Sequence, residues 1–292
     1  MSGLYECHGH LMMDGTDFSN AKMRHASGVD YDSLRQNLSD LQSAGVTYFR
    51  DGGDACGVSA AARALAGEYG IEYATPLFAI HRQGRYGKIV GRGYSDLTEY
   101  RALVTEAKAA GADFIKLMFS GIITFRDYGE LSCPGLEAAE IRELVNIAHG
   151  EGFSVMAHVN GPDTVLAAIE AGTDSIEHGY FMDETCLSAL AASDSIWVPT
   201  VAATAAFIGR DGFDNAVTER TVAQQLACVC RAAALGAKIA CGSDAGAVGV
   251  PHGAGTKTEQ ELLLSAGMTP APIAAGSEAL RRRFRRIERN NG

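Results

Sequence analysis

Apolar residues recur along the chain in two alternating rhythms. One has helical spacing: Leu34, Leu38 and Leu41, then Ile141, Leu144, Val145 and Ala148, then Val165, Leu166 and Ile169. Residues three and four apart share a helix face, so each set predicts an amphipathic helix with one buried stripe. The other rhythm is a short apolar run rich in β-branched residues, the pattern of parallel strands buried on both faces. A glycine stands at the junctions: Gly45, Gly70, Gly111, Gly152, Gly172 and Gly236. Glycine just past a helix supplies the left-handed backbone that stops it. The runs place eight strands, at about 3–8, 46–50, 73–80, 113–118, 153–158, 174–178, 196–201 and 238–243. Eight strands separated by helices predict an α/β chain folded as a (β/α)8 TIM barrel, not an open doubly wound sheet. No G-x-G-x-x-G follows the first strand, which weighs against a dinucleotide fold.

Length agrees with this pattern. The chain has 292 residues, and one such barrel takes about 250. The expected division is a barrel over residues 1–275 and a basic helix or tail over 276–292, which carries Arg281, Arg282, Arg283, Arg285 and Arg286. The net charge of −10 argues against a general nucleic-acid or membrane-surface role. No apolar run is long enough to span a bilayer. The first residues, Met1-Ser2-Gly3-Leu4-Tyr5-Glu6, lack a basic segment followed by an apolar one, so no secretory signal is read. Seven cysteines with no C-x-x-C pair fit a reduced, cytoplasmic protein.

In a barrel the chemistry sits at the C-terminal strand ends, and half of the eight histidines fall there. They are His8 and His10 on the first strand, His158 on the fifth and His178 on the sixth, with Lys116 on the fourth and Asp244 past the eighth. A period of two places His8 and His10 on one face. Imidazoles joined by a carboxylate make a site for divalent metal. The reading is a two-ion site, His8 and His10 on one ion and His158 and His178 on the other, with Asp244 on the first ion and facing a bridging water. A lone histidine is more often a structural residue. Ligand types at five strand ends reverse that preference. Lys116 is odd among ligands, because an ammonium repels a cation. It fits if carbon dioxide carbamylates it to a bridging carboxylate. Its alternatives are a buried lysine paired with an acid, or a Schiff-base amine.

Around these residues the readings stay double. Asp51 and Asp54 support the ligands or, by preference, cap a helix. Glu177 is read as structural, pointing to the far side of its strand. The basic loop after strand three offers Arg82 or Arg85 as a bidentate clamp on a substrate carboxylate, with His81 donating to a carbonyl, or it is an ordinary solvated loop. His252 lines the pocket or shapes a loop. Met12 and Met13 read as loop packing.

The segments His8-Gly9-His10, Arg50-Asp51-Gly52-Gly53, Lys116-Leu117-Met118, Glu177-His178-Gly179 and Gly242-Ser243-Asp244 together resemble the amidohydrolase superfamily, in its imidazolonepropionase-like and prolidase-like branch. The resemblance runs from about residue 5 to 270. It implies two divalent ions, often zinc, that share a hydroxide and polarise the substrate carbonyl. It also implies that Asp244 acts as general base and then general acid. The expected reaction is hydrolysis of an amide C–N bond in a small molecule, such as a dipeptide, an N-acyl amino acid or a cyclic amide. The alternatives are lactone or ester hydrolysis at the same site, or a metal-binding but inactive barrel. Two departures stand out. Members usually carry a small β-sandwich that this chain is expected to lack, leaving a flank that a homo-oligomer would cover. Prolidase-like relatives often have a tyrosine two residues after the strand-five histidine, where this chain has Asn160, read as a substrate contact.

Overall fold

The computed structural model describes residues 3–285. Its strands are β1 (Leu4–Gly9), β2 (Val46–Asp51), β3 (Glu72–Ala74), β4 (Ala79–Arg82), β5 (Gly91–Tyr94), β6 (Ile115–Met118), β7 (Val155–Val159), β8 (Ser175–His178), β9 (Ile196–Val198) and β10 (Lys238–Ile239). One parallel sheet has the order β1–β2–β3, and a second has the order β10–β9–β8–β7–β6–β4–β5. Helices connect successive strands nearly throughout, for example Tyr31–Ala44 before β2, Ala138–Gly150 before β7 and Asn215–Ala234 before β10. This is the (β/α)8 barrel that the alternating rhythms predict. All six glycines at the predicted junctions have positive φ.

The third strand departs from the expected continuous run 73–80. It is two pieces: β3 pairs with β2, and β4 pairs with β6. Pro76 lies between them, and it has no N–H to give to a ladder. The next residue, Leu77, turns to a φ of 67°. The broken strand thus hands the sheet over: Asp113 N bonds to Thr75 O at 3.0 Å where the two sheets meet. The residues expected as a loop at 81–96 include β5, parallel to β4. The last strand is short as a ladder, but the chain beyond it stays bonded to β1 through Cys7 N to Cys241 O and Asp244 N to His8 O. Individual hydrogen bonds, not a continuous ladder, span this seam, and they bring the Asp244 turn beside the two histidines of β1.

Most apolar burial lies between the strands and the surrounding helices, with Leu144, Val145, Val165 and Ile176 fully enclosed. A smaller cluster fills the barrel interior around Cys7, Tyr48, Phe114, Met156 and Val198. The final described helix, Pro270–Arg283, begins before the predicted boundary at residue 276. It contributes Leu280, and Phe284 just beyond it, to that interior cluster. The Arg50 guanidinium sits 4.3 Å from the Phe284 ring centroid. Arg281 pairs with Glu72 and Glu278, and Arg283 with Asp174. Residues 286–292 of the expected tail lie outside the described residues.

Candidate active site

The six predicted ligand positions converge at the C-terminal strand ends. His8 lies in β1 and His10 follows it. His158 is next to last in β7, His178 closes β8, and Lys116 lies within β6. The ring centroids of His8 and His178 are 4.9 Å apart, those of His158 and His178 4.6 Å, and those of His8 and His10 5.6 Å. Asp244 Oδ1 lies 3.6 Å from His8 Nε2 and 3.7 Å from His10 Nε2. The nitrogen and oxygen atoms of His8, His10 and Asp244 all fall within 4.8 Å of one another, a spacing that suits one ion. His178 and Asp244 both hold left-handed backbone, φ 66° and 61°, as does Thr200 at 50°. Left-handed non-glycine residues cost on the order of 1 kcal/mol each, and they cluster where the surrounding structure enforces a functional geometry.

Each imidazole has one nitrogen tied and one left over. Burial holds His8 and His178 well below the usual imidazole range and pushes His158 down to about 3, with Lys116 a further cause for all three. The rings are therefore neutral, and one N–H per ring donates. His8 Nδ1 donates to Glu177 Oε2 at 2.6 Å, and His10 Nδ1 to Gly53 O at 3.2 Å. His158 Nε2 donates to Gly121 O at 3.2 Å, and His178 Nδ1 shares a hydrogen bond with Thr200 Oγ1 at 2.8 Å. Second partners of this kind fix tautomer and ring direction in metal sites. Lys116 Nζ and Asp244 Oδ1 are both buried with no hydrogen-bond partner among the described residues. Buried polar atoms are nearly always paired, so two orphans facing a neutral histidine cluster fit a site built for cations. Burial lowers the Lys116 amine to about 8, with the Glu177 carboxylate opposing, and raises the Asp244 carboxyl.

A second layer of buried polar groups holds this cluster from below. Arg50 donates from Nη2 to both Glu177 oxygens at 2.8 and 2.9 Å, from Nη1 to Ser175 Oγ, and from Nε to Cys7 O. Glu177 is thus structural, but its carboxylate reaches the His8 ring across the barrel instead of turning away from the site. Glu6 accepts from Ser243 N, Ser243 Oγ and Thr256 Oγ1 and so secures the turn that carries Asp244. Asp51 accepts from Leu11 N and Ser59 Oγ, tying the segment after His10 to β2. Asp54 accepts from Val58 N and Ser59 N at the start of the helix Val58–Leu65, whose N-cap position is Gly57. Gly52 makes room for His10: a Cβ there would stand 2.3 Å from the ring.

A cavity of about 200 Å³ opens over the cluster, lined by the six candidate ligands together with Asn160, Tyr86, Tyr180 and apolar side chains. Asn160 sits in the wall with both ends of its amide engaged, Nδ2 to Gly121 O and Oδ1 to Tyr180 N. The other residues singled out for substrate contact lie elsewhere. His81 Nδ1 bonds to Arg82 O, and Arg82 forms an ion pair with Glu140. Arg85 is exposed, and His252 Nε2 donates to Met13 O, holding the segment after β1. None of these four lines the cavity. The sequence reading missed Thr200, Tyr86 and Tyr180. A β-branched hydroxyl and two ring residues in loops carry no local signal that sets them apart.

The family model described as the amidohydrolase family matches residues 1–275, so the chain belongs to that family. The ochratoxinase of Aspergillus niger is 27% identical over 242 residues, covering 73% of this chain and 50% of that protein. The chain thus spans about half the length of that curated relative. Among solved structures, a Xaa-Pro dipeptidase with methionine bound in its active site aligns with a TM-score of 0.77 at 24% identity, covering 96% of this chain and 75% of that one. The A. niger ochratoxinase structure aligns with a TM-score of 0.74 at 23% identity, covering 96% and 69%. Phenylurea hydrolase B aligns at 0.73 and 16%, covering 96% and 74%. At these identities the structures share the fold.

Proposed function

We propose that this member of the amidohydrolase family is a binuclear metal-dependent hydrolase cleaving an amide bond of a small molecule. One observation carries the reading: four oriented imidazoles line one cavity with two buried atoms that have no hydrogen-bond partner among the described residues, Lys116 Nζ and Asp244 Oδ1. His8, His10 and Asp244 would hold one ion, and His158 and His178 the other. Imidazole with carboxylate suits zinc. Bound divalent ions supply Lewis acidity toward a carbonyl and lower the pKa of water.

Lys116 would serve as the shared ligand. Its amine would add carbon dioxide with loss of a proton, and the resulting carbamate would put an anion where a buried ammonium would repel cations. Asp244 moves the proton. Its carboxylate would take a proton from the attacking water through the oxygen that does not hold the ion and would deliver it to the leaving nitrogen. The new C–O bond forms as the C–N bond breaks, giving a carboxylic acid and an amine. Glu177 keeps His8 in the tautomer that leaves Nε2 available.

Elemental analysis of the purified chain after growth with zinc tests this directly. Two ions per chain, with hydrolysis of an amide panel, is the expected result. About one ion would remove Lys116 from the bridging role. A folded protein with none would overturn the hydrolase reading.

A further inference from the structure

Beyond the ligand cluster, the cavity wall is mostly apolar, with Met13, Phe18, Ile89, Phe125, Phe207 and Val248, and its uncharged polar exceptions include Thr204 and Asn160, whose amide is already engaged at both ends. Lys116 is its only cationic residue among the described residues, and Lys116 belongs to the cluster. Tyr180 presents its ring, because its hydroxyl donates to Thr200 O at 2.9 Å. Tyr86 holds its ring tilted against that of His158, with centroids 4.9 Å apart. Phe125, Phe207 and Phe213 pack as a trio, with centroids 5.0, 4.7 and 5.8 Å apart, and join the loop after β6 to the loop after β9.

The cations near the mouth do not serve the cavity. Arg82 pairs with Glu140, Arg92 with Glu106 and Arg126 with Glu130. Arg85 and Lys88 are exposed. Arg210 approaches from outside, its guanidinium 5.7 Å from the Phe207 ring centroid, and it does not line the cavity. A substrate carboxylate placed against this wall would lose its water and gain no counter-charge, which a buried anion cannot tolerate cheaply. Apolar surface placed there gains in proportion to the area removed from water. The size is also informative, since an apolar cavity of roughly 150 Å³ holds a benzene ring.

We infer that the substrate is a neutral amide carrying one ring-sized apolar group and no carboxylate. This rests on the amide-hydrolase reading of the same site. It replaces the anionic substrate that the basic loop invites, because that loop's charges are spent on surface pairs or on solvent.

Two compounds that differ only in a carboxylate test it: N-acetyl-2-phenylethylamine and N-acetylphenylalanine, each given to the zinc-loaded full chain. The expected result is a kcat/KM at least about tenfold higher for the neutral amide, the cost of one unpaired anion in the wall. Equal turnover, or a preference for the carboxylate, overturns the inference and leaves amide hydrolysis standing. If neither is cleaved, the hydrolase reading fails for this class, and calorimetric binding of the same two compounds decides the inference. Tighter binding of the neutral compound upholds it, and equal or weaker binding overturns it.

Discussion

His8 Nδ1 and Glu177 Oε2 stand 2.6 Å apart, fully buried, although the two residues are 169 positions apart in the chain. The same carboxylate takes both hydrogen bonds from Arg50 Nη2. One acid therefore orients an imidazole in β1 and neutralises a guanidinium in β2. Glu177→Gln should weaken metal affinity by about 10–100-fold, the usual effect of losing a partner behind a ligand. It should also cost about 3 kcal/mol through the uncompensated Arg50. Chelator competition well below the melting temperature separates the two effects. Unchanged affinity would mean that Glu177 serves only Arg50.

Lys116→Ala should remove at least one ion per chain and abolish turnover, with short carboxylic acids restoring part of both. The buried, partnerless Nζ motivates this expectation. Metal analysis with and without added propionate checks it, and full metal content in the variant would reject the bridge.

Gly52→Ala should lower metal affinity at least about tenfold, because its Cβ would meet His10 Cε1 at 2.3 Å and displaced ligands bind poorly. Gly45→Ala is the control. Gly45 has a φ of 88° with nothing near its added Cβ, so that change should cost about 1 kcal/mol of stability and leave metal affinity alone. Equal affinity in both variants would show that the His10 ring has room to move.

Tyr86→Phe should lower kcat about a hundredfold with little change in melting temperature, the lower end of the loss expected for one donor at the reacting group. The ring packs on His158, and the hydroxyl has no partner among the described residues, whereas the Asn160 amide is engaged at both ends. Steady-state kinetics beside a thermal melt checks this. An unchanged kcat would leave Tyr86 as wall alone.

Glu259 should make the fold less stable as pH rises. Burial pushes its carboxyl from 4.5 up to about 8, opposed by the backbone N–H groups of Ala202 and Val201. The folded state binds this proton more tightly than the unfolded one. The stability it confers is fully present below about pH 4.5 and is lost as pH rises to about 8. Glu259→Gln mimics the protonated acid. Denaturant melts from pH 5 to 8.5 should show a flatter profile for the variant and a stability gain at the alkaline end. Parallel curves for the two proteins would refute the assignment.

The sequence by itself determined the barrel and the positions of the six candidate ligands. Helical and strand periodicities are local, and a barrel of parallel strands sends every C-terminal strand end to one mouth. Histidines on β1, β7 and β8 could therefore be brought together without knowing a single long-range contact. The apolar run over 73–80 read as one strand, and only sheet pairing divided it at Pro76. The tertiary structure alone decided the partners of Glu177, Thr200 and Tyr86, because each depends on which side chain faces it across the barrel. It also settled where Arg82 and Arg85 go. A basic loop looks the same in sequence whether its charges point into a cavity or outward. Here Glu140, distant in sequence, takes Arg82, and apolar side chains from other loops fill the wall.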